Sequence, residues 1–227
     1  MKKFILSIAI FFLFCAQSFS HVEHYKDYKN LEYELFRNNK SIGFHKYDFN
    51  RDGENLSIES EVSFKISKLG VDLYKYFAKS EENYVKGIFK SYSSKTKQNK
   101  KDRYVNIEVD PSDKNLIIDG SSYKGKANKD FIVGTWWNHE IIKAKAQISG
   151  ISGRIIEQTV TFLGKEEVNI GDKTYKTLHF NFKSSDETLP DSKKLNTDIW
   201  YEEESYLWVK AAFEKTGYWE YRIKKVN

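Results

Sequence analysis

Residues 55–67 read NLSIESEVSFKIS, and their alternation decides the fold class. Leu56, Ile58, Val62, Phe64 and Ile66 share one parity, while Ser57, Glu59, Glu61, Ser63, Lys65 and Ser67 share the other. A strand sends successive side chains to opposite faces, so this stretch is a long ribbon with one dry and one wet face. The pattern recurs at Leu31, Tyr33 and Leu35, at Val105, Ile107 and Val109, and at Leu178, Phe180 and Phe182. It recurs again at Leu207, Val209, Ala211 and Phe213, and at Trp219, Tyr221 and Ile223.

Turn chemistry separates these runs: RNNKS (37–41), NRDGE (50–54), DPSDKN (110–115), IDGSS (118–122), NIGDK (169–173) and KTGYW (215–219). Connections this short require antiparallel neighbours. In SIGFHKYDF the apolar parity slips from Ile42 and Phe44 to Tyr47 and Phe49, which predicts a bulge. Pro111 and Pro190 fall in loops, and KSSDETLPDSKK (183–194) is a polar loop before the last strands. A sheet of about a dozen half-wet strands curls to remove its exposed edges. The expected fold is therefore all-β and mainly antiparallel: a strongly curved, open or closed barrel meander with one short helix closing an end. That helix is expected within residues 135–147, with Asn138 as N-cap, Glu140 in the first turn, Ile141 and Ile142 docking it, and Ser149-Gly150 ending it.

The N-terminus, MKKFILSIAIFFLFCAQSFS, pairs basic Lys2 and Lys3 with an apolar run from Phe4 to Cys15, followed by small residues at Ser18 and Ser20. The run is too short to span a bilayer and reads as a signal peptide over residues 1–20, cleaved after Ser18 or Ser20. Residues 21–227 are then one exported, periplasmic β-barrel domain. Phe14 before Cys15 argues against lipoprotein processing, which needs a small residue there, so Cys15 leaves with the leader and no disulfide holds the domain. Removing Lys2 and Lys3 from 37 basic residues leaves 35 against 32 acidic ones, a balance of +3 that excludes a nucleic-acid binder. The densest basic run, KTKQNKKDR (95–103), reads first as a solvated hairpin tip and second as a phosphate or lipid-headgroup patch.

Several segments in this order resemble an uncharacterised family of proteobacterial periplasmic proteins. LEYELFRNNKSIGFHKYDF is similar to its opening hairpin, and LYKYFAKSEENYVKGIFKSYSSKTKQNKK to its second block. GTWWN matches a Thr/Ser-x-Trp-Asn segment, and DIWYEEESYLWVKAAFEKTGYWEYRI the closing block. The resemblance spans residues 31–225 and implies a fold similar to the open β-barrels of periplasmic lipoprotein carriers, with a helix against the mouth. It supplies no catalytic residues. The chain departs from the pattern at His139, where the family has proline, and at Thr216-Gly217-Tyr218, where it has Asp-Gly-Ser.

The chemistry-bearing residues are sparse. The histidines His21, His24, His45, His139 and His179 form no H-x-H or HExxH motif and have no cysteine partner, so no metal site or cofactor is expected. His45 and His179 read as surface imidazoles on polar strand parity. No G-x-S-x-G elbow is present, and ISGISGR (148–154) reads as a turn. Asp130, His139 and Glu140 are the only set from which a hydrolase or isomerase site can be assembled.

The aromatic content, with 5 Trp and 15 Tyr, points instead to a packed or ligand-lined barrel. The leading reading is a non-enzymatic binding protein for an apolar or amphipathic, lipid-like ligand. Its wall would be Trp136, Trp137, Tyr33, Phe64, Tyr74, Tyr76, Phe180, Trp200 and Tyr201, chosen by parity and bulk. The alternative is an envelope interaction module with a packed barrel and a protein partner on its outer face. In GTWWNHE (134–140), Thr135 and Asn138 read as entry and cap, and one of the two tryptophans as the cover of the barrel end.

Overall fold

A computed structural model describes residues 25–227. The expected leader at 1–20 and the histidines His21 and His24 lie outside the described residues. The strands are β1 (Asn30–Arg37), β2 (Lys40–Asp52), β3 (Asn55–Lys68), β4 (Val71–Val85), β5 (Ile88–Gln98), β6 (Lys101–Val109), β7 (Leu116–Gly120) and β8 (Lys124–Ala127). They continue as β9 (Ile132–Val133), β10 (Ala146–Ile148), β11 (Ile155–Ile170), β12 (Lys173–Ser184), β13 (Asn196–Glu202), β14 (Trp208–Glu214) and β15 (Tyr218–Val226). All fifteen belong to one sheet, which runs from β8 down to β1 and then from β15 down to β9. The first strand thus pairs with the last, from Leu31 opposite Val226 to Arg37 opposite Trp219. Only the short β9–β10 pair is parallel.

The hydrogen-bonded ladder does not close, because β8 and β9 are its two edges. Side chains join the two flanks instead. Val105, Ile107 and Ile118 from β6 and β7 form a buried cluster with Val133 and Ile148 from β9 and β10. Nearby, the Ser122 N–H donates to the Ser152 carbonyl at 2.9 Å. Gly120 permits this approach, since a Cβ there would lie 2.5 Å from that same carbonyl oxygen. The larger core is built from the inward parity of β1, β3 and β13 to β15: Leu31, Tyr33, Ile58, Ile199, Tyr201, Trp208 and Ile223 are all buried.

The parity slip in β2 is a bulge. Leu35 pairs with Gly43 and Phe36 with Ser41, so Ile42 is the extra residue. Gly43 is sterically required there: a Cβ would lie 2.0 Å from the Ser63 carbonyl oxygen and 2.6 Å from the Phe64 Cα.

The expected helix is shorter than its sequence suggests. Asn138 does cap it, with backbone in the extended region and its side chain accepting from the Glu140 N–H at 3.1 Å. Only His139–Ile142 is helical, as one 3-10 turn, and Ala146 already begins β10. Gln158 of β11 explains the stop. Its amide donates to the Ile141 and Ala144 carbonyls at 3.0 and 3.1 Å, occupying groups that a longer helix would use, while Gln147 donates to its oxygen at 2.6 Å.

Candidate functional site

The two adjacent tryptophans of GTWWNHE have separate fates. Trp137 is 1% exposed in the main core, edge-on to Tyr25, Phe49 and Tyr84. Its indole N–H donates to Glu82 Oε2 at 3.0 Å, and Thr135 Oγ1 donates to the same oxygen at 3.2 Å. Tyr84 donates to the other carboxylate oxygen, and Asn138 reaches the Tyr84 hydroxyl at 3.4 Å. Glu82 is therefore the post to which the segment is tied. Burial raises its pKa above the usual carboxylate range, although its three donors pull the other way.

Trp136 is half-buried and turns the opposite way, edge-on to Trp208 at 5.3 Å and Tyr221 at 5.4 Å. Its carbonyl accepts from the Tyr201 hydroxyl at 2.8 Å. Beside it the barrel interior holds a cavity of about 240 Å³, walled by Tyr47, Tyr76, Tyr92 and Tyr221. The wall is amphipathic: Ser60, Ser80, Ser94, Thr96 and Gln147 interleave with Val62, Ala78 and Ile156.

His45 also lines this cavity, which corrects the expectation of a surface imidazole. The bulge at Ile42 resets the parity of β2, so that His45 joins Tyr47 and Phe49 on the inward face. Its Nε2 lies 2.8 Å from Ser60 Oγ, while Nδ1 is buried with no hydrogen-bond partner. Burial pushes its pKa down to about 3, so the ring is neutral at ordinary pH. A neutral imidazole carries one N–H and one bare nitrogen, and the unmatched position is a standing request for a partner.

The predicted wall residues divide into five groups. Tyr76 and Trp136 line the cavity. Tyr33, Tyr201 and Trp137 are fully packed core: Tyr33 stacks on Trp208 at 4.0 Å and donates to its carbonyl at 2.8 Å. Phe64 and Tyr74 lie in an aromatic row at the turn end of β3 and β4, with Phe64 stacked on Tyr76 at 4.7 Å and edge-on to Trp219 at 5.2 Å. Phe180 packs against the main core between Phe162 and Tyr201. Trp200 faces away from Tyr201, its chain neighbour, and stacks on His179 at 4.2 Å. There it donates to Glu166, and the Lys210 ammonium sits 4.6 Å from its ring. His179 lies in this outer cluster between Glu166 at 2.8 Å and Asp198 at 3.1 Å.

The hydrolase set is only partly brought together: Asp130 and Glu140 line one pocket, while the His139 ring is stacked on Tyr206. Asp130 is exposed in the loop between β8 and β9, whereas His139 is 4% exposed and stacks on Tyr206 at 4.6 Å. Glu140 lies 3.4 Å from His139 Nε2 and bonds Lys143 at 2.9 Å. Among the described residues, no group of three or more His, Cys, Asp or Glu is placed to hold a metal ion.

Glu82 and His45 are the residues that sequence reasoning missed, and counting by twos could have found both. Tyr74, Tyr76, Ala78, Ser80, Glu82 and Tyr84 share one parity of β4, so the inward Tyr84 carries Glu82 in with it. Hydrophobicity alone assigns a glutamate to the wet side.

A search of curated proteins finds no match. Among solved structures, the chain is similar to a β-barrel-like protein of the domain of unknown function DUF1849 from Brucella abortus, with a TM-score of 0.57 and 11% identity. The alignment covers 87% of this chain and 96% of that one, a likeness of fold alone. The family model of the domain of unknown function DUF6134 matches residues 33–224, from the inward Tyr33 of β1 into β15, and the chain belongs to that family.

Proposed function

We propose that this protein is a non-enzymatic binding protein of the periplasm that holds an amphipathic ligand inside its barrel. The observation that carries the proposal is the cavity beside Trp136, whose wall interleaves four tyrosine rings with His45, Ser60, Ser80, Ser94, Thr96 and Gln147. A concave space lined mainly by aromatic and apolar side chains, with a few polar groups among them, is the usual form of a small-molecule site. At about 240 Å³ the space is slightly below the usual range for a drug-sized ligand. It suits the ring or head of an amphipathic molecule, with the rings contacting its apolar faces and His45, Ser60 and Gln147 addressing its polar atoms. No reaction is required of any residue.

Native mass spectrometry of the protein recovered from its own cells, followed by solvent extraction, tests this. A near-stoichiometric small molecule is expected, and its occupancy should drop at least tenfold in Trp136→Ala and in His45→Leu. A clean apo mass from cooperatively melting protein, with no uptake from a total envelope extract, would sink the proposal.

A further inference from the structure

The turn joining β3 to β4 departs from its neighbours. At that end of the sheet the β1–β2 turn places Asn38 and Asn39 at positive φ, the β5–β6 turn uses Asn99, and the β14–β15 turn uses Thr216 and Gly217. Asparagine and glycine are the ordinary occupants of left-handed positions, and Thr216 is at least polar. The β3–β4 turn instead puts Leu69 at φ 51° beside Gly70 at φ 79°. Leu69 is 94% exposed, Val71 62% and Leu73 55%. A leucine in an unfavourable conformation and in full contact with water contributes almost no buried apolar area to this domain.

The ribbon that carries it stands clear of the sheet. Pairing of β3 with β2 ends at Phe64, opposite Gly43, and pairing of β4 with β5 ends at Tyr76, opposite Gln98. Residues 65–74 therefore pair in the ladder only with each other, Lys75 still bonding Asn99 of the β5–β6 turn, and the β3–β4 turn lies about four residues, or ~13 Å, past the last rung shared with β2. At its base lies a groove of about 570 Å³ containing Phe44, Phe64 and Phe77, with Lys65, Lys75 and Lys97 along it.

Charge is concentrated at the same place. Residues 65–75 carry Lys65, Lys68 and Lys75 against Asp72, which bridges Lys75 at 2.9 Å and Lys65 at 3.5 Å. The adjoining tip, residues 97–103, carries Lys97, Lys100, Lys101 and Arg103 against Asp102. Seven cations less two anions give +5, equal to the net charge of the entire chain.

We propose that the ribbon Lys65–Lys75 is a membrane-docking wedge for an anionic lipid surface. Leu69, Val71 and Leu73 enter the interfacial layer, and the lysines of the two adjacent tips stay at the depth of the phosphates. A convex apolar point ringed by cations is complementary to a lipid interface, which accepts short apolar side chains at its acyl boundary and attracts cations to its anionic headgroups. The inference rests on the outer surface alone and stands or falls independently of the cavity.

Flotation of the full protein with vesicles of phosphatidylcholine containing phosphatidylglycerol tests it, with pure phosphatidylcholine vesicles alongside. Binding is expected to the anionic vesicles and to weaken steeply with salt. The triple variant L69S/V71S/L73S should lose at least tenfold in affinity, and Lys68→Glu or Lys100→Glu about fivefold or more each at low salt. Leu69→Asn separates function from fold: asparagine suits the left-handed turn, so this variant should melt at or above the parent temperature while binding vesicles more weakly. Equal vesicle affinity of parent and triple variant, or no difference between anionic and neutral vesicles, would overturn the proposal. Loss of vesicle binding only in variants that also melt lower would overturn it too.

Discussion

The interior of this barrel has two halves built from the same residue types with opposite results. On the side of β1, β13 and β14, aromatic side chains fill space: Tyr25, Tyr33, Trp137, Tyr201 and Trp208 are each at most 1% exposed. Their hydroxyls are spent on backbone groups, Tyr25 on the Tyr206 carbonyl at 3.2 Å and Tyr33 on that of Trp208 at 2.8 Å. On the side of β2 to β5, tyrosines stand around a cavity, and His45 keeps a nitrogen unmatched. Trp208, at the border between the halves, likewise has an unmatched indole N–H. Aromatic content alone does not distinguish a filled barrel from a lined one. The difference lies in the small residues between the rings, since Ser60, Ala78, Ser80 and Ser94 leave room that leucines would occupy.

Three experiments would break or sharpen this contrast. The largest effect is expected at Trp137, where truncation to alanine empties fully packed core and strips Glu82 of a donor. Denaturant unfolding should register a loss of about 3–5 kcal/mol. Trp136→Ala, at the cavity, should cost less than half as much; equal losses would mean that the cavity half is as tightly packed as the core.

The second effect concerns pH. The His45 pKa is depressed to about 3 in the folded chain, so between pH 6.5 and about 3 only the unfolded chain takes up the proton. Stability falls with pH through that window, by roughly 2 kcal/mol at pH 5, near 1.4 kcal/mol per unit. His45→Leu should flatten this slope in chemical denaturation at pH 7 and 5, and an unchanged slope would place the imidazole in water.

The smallest effect belongs to Glu82 and has the opposite sign. Its folded pKa is raised, so the native state takes up a proton first as pH falls, and stability is gained down to the ordinary carboxylate range. Glu82→Gln should abolish that gain while keeping an acceptor for Trp137, changing stability at pH 7 by about 1 kcal/mol. A variant whose acid limb matched the parent would show that another carboxylate is responsible.

Much of the architecture was legible because a strand repeats every two residues and each repeat is a local fact. The alternation at 55–67 became β3, the polar turns fell between strands, and the parity slip in SIGFHKYDF became the Ile42 bulge. The Leu69-Gly70 turn is not legible for a local reason as well, because leucine is no turn former. The helix was overextended because Ala144 to Ala146 suit a helix, and the competing Gln158 amide lies on a distant strand. Trp200 was assigned to the wall by bulk, while its neighbour Tyr201 points inward.

What the sequence determined by itself was everything carried by neighbours along the chain: strand periodicity, turn positions, the antiparallel order and the cap at Asn138. The tertiary structure alone decided which aromatics fill and which line, which of two adjacent tryptophans faces the cavity, and where Glu82 and His45 reside. Those outcomes depend on strands far apart in the chain meeting in one register. Burial and unmatched hydrogen-bonding capacity are set by that meeting and by no residue alone.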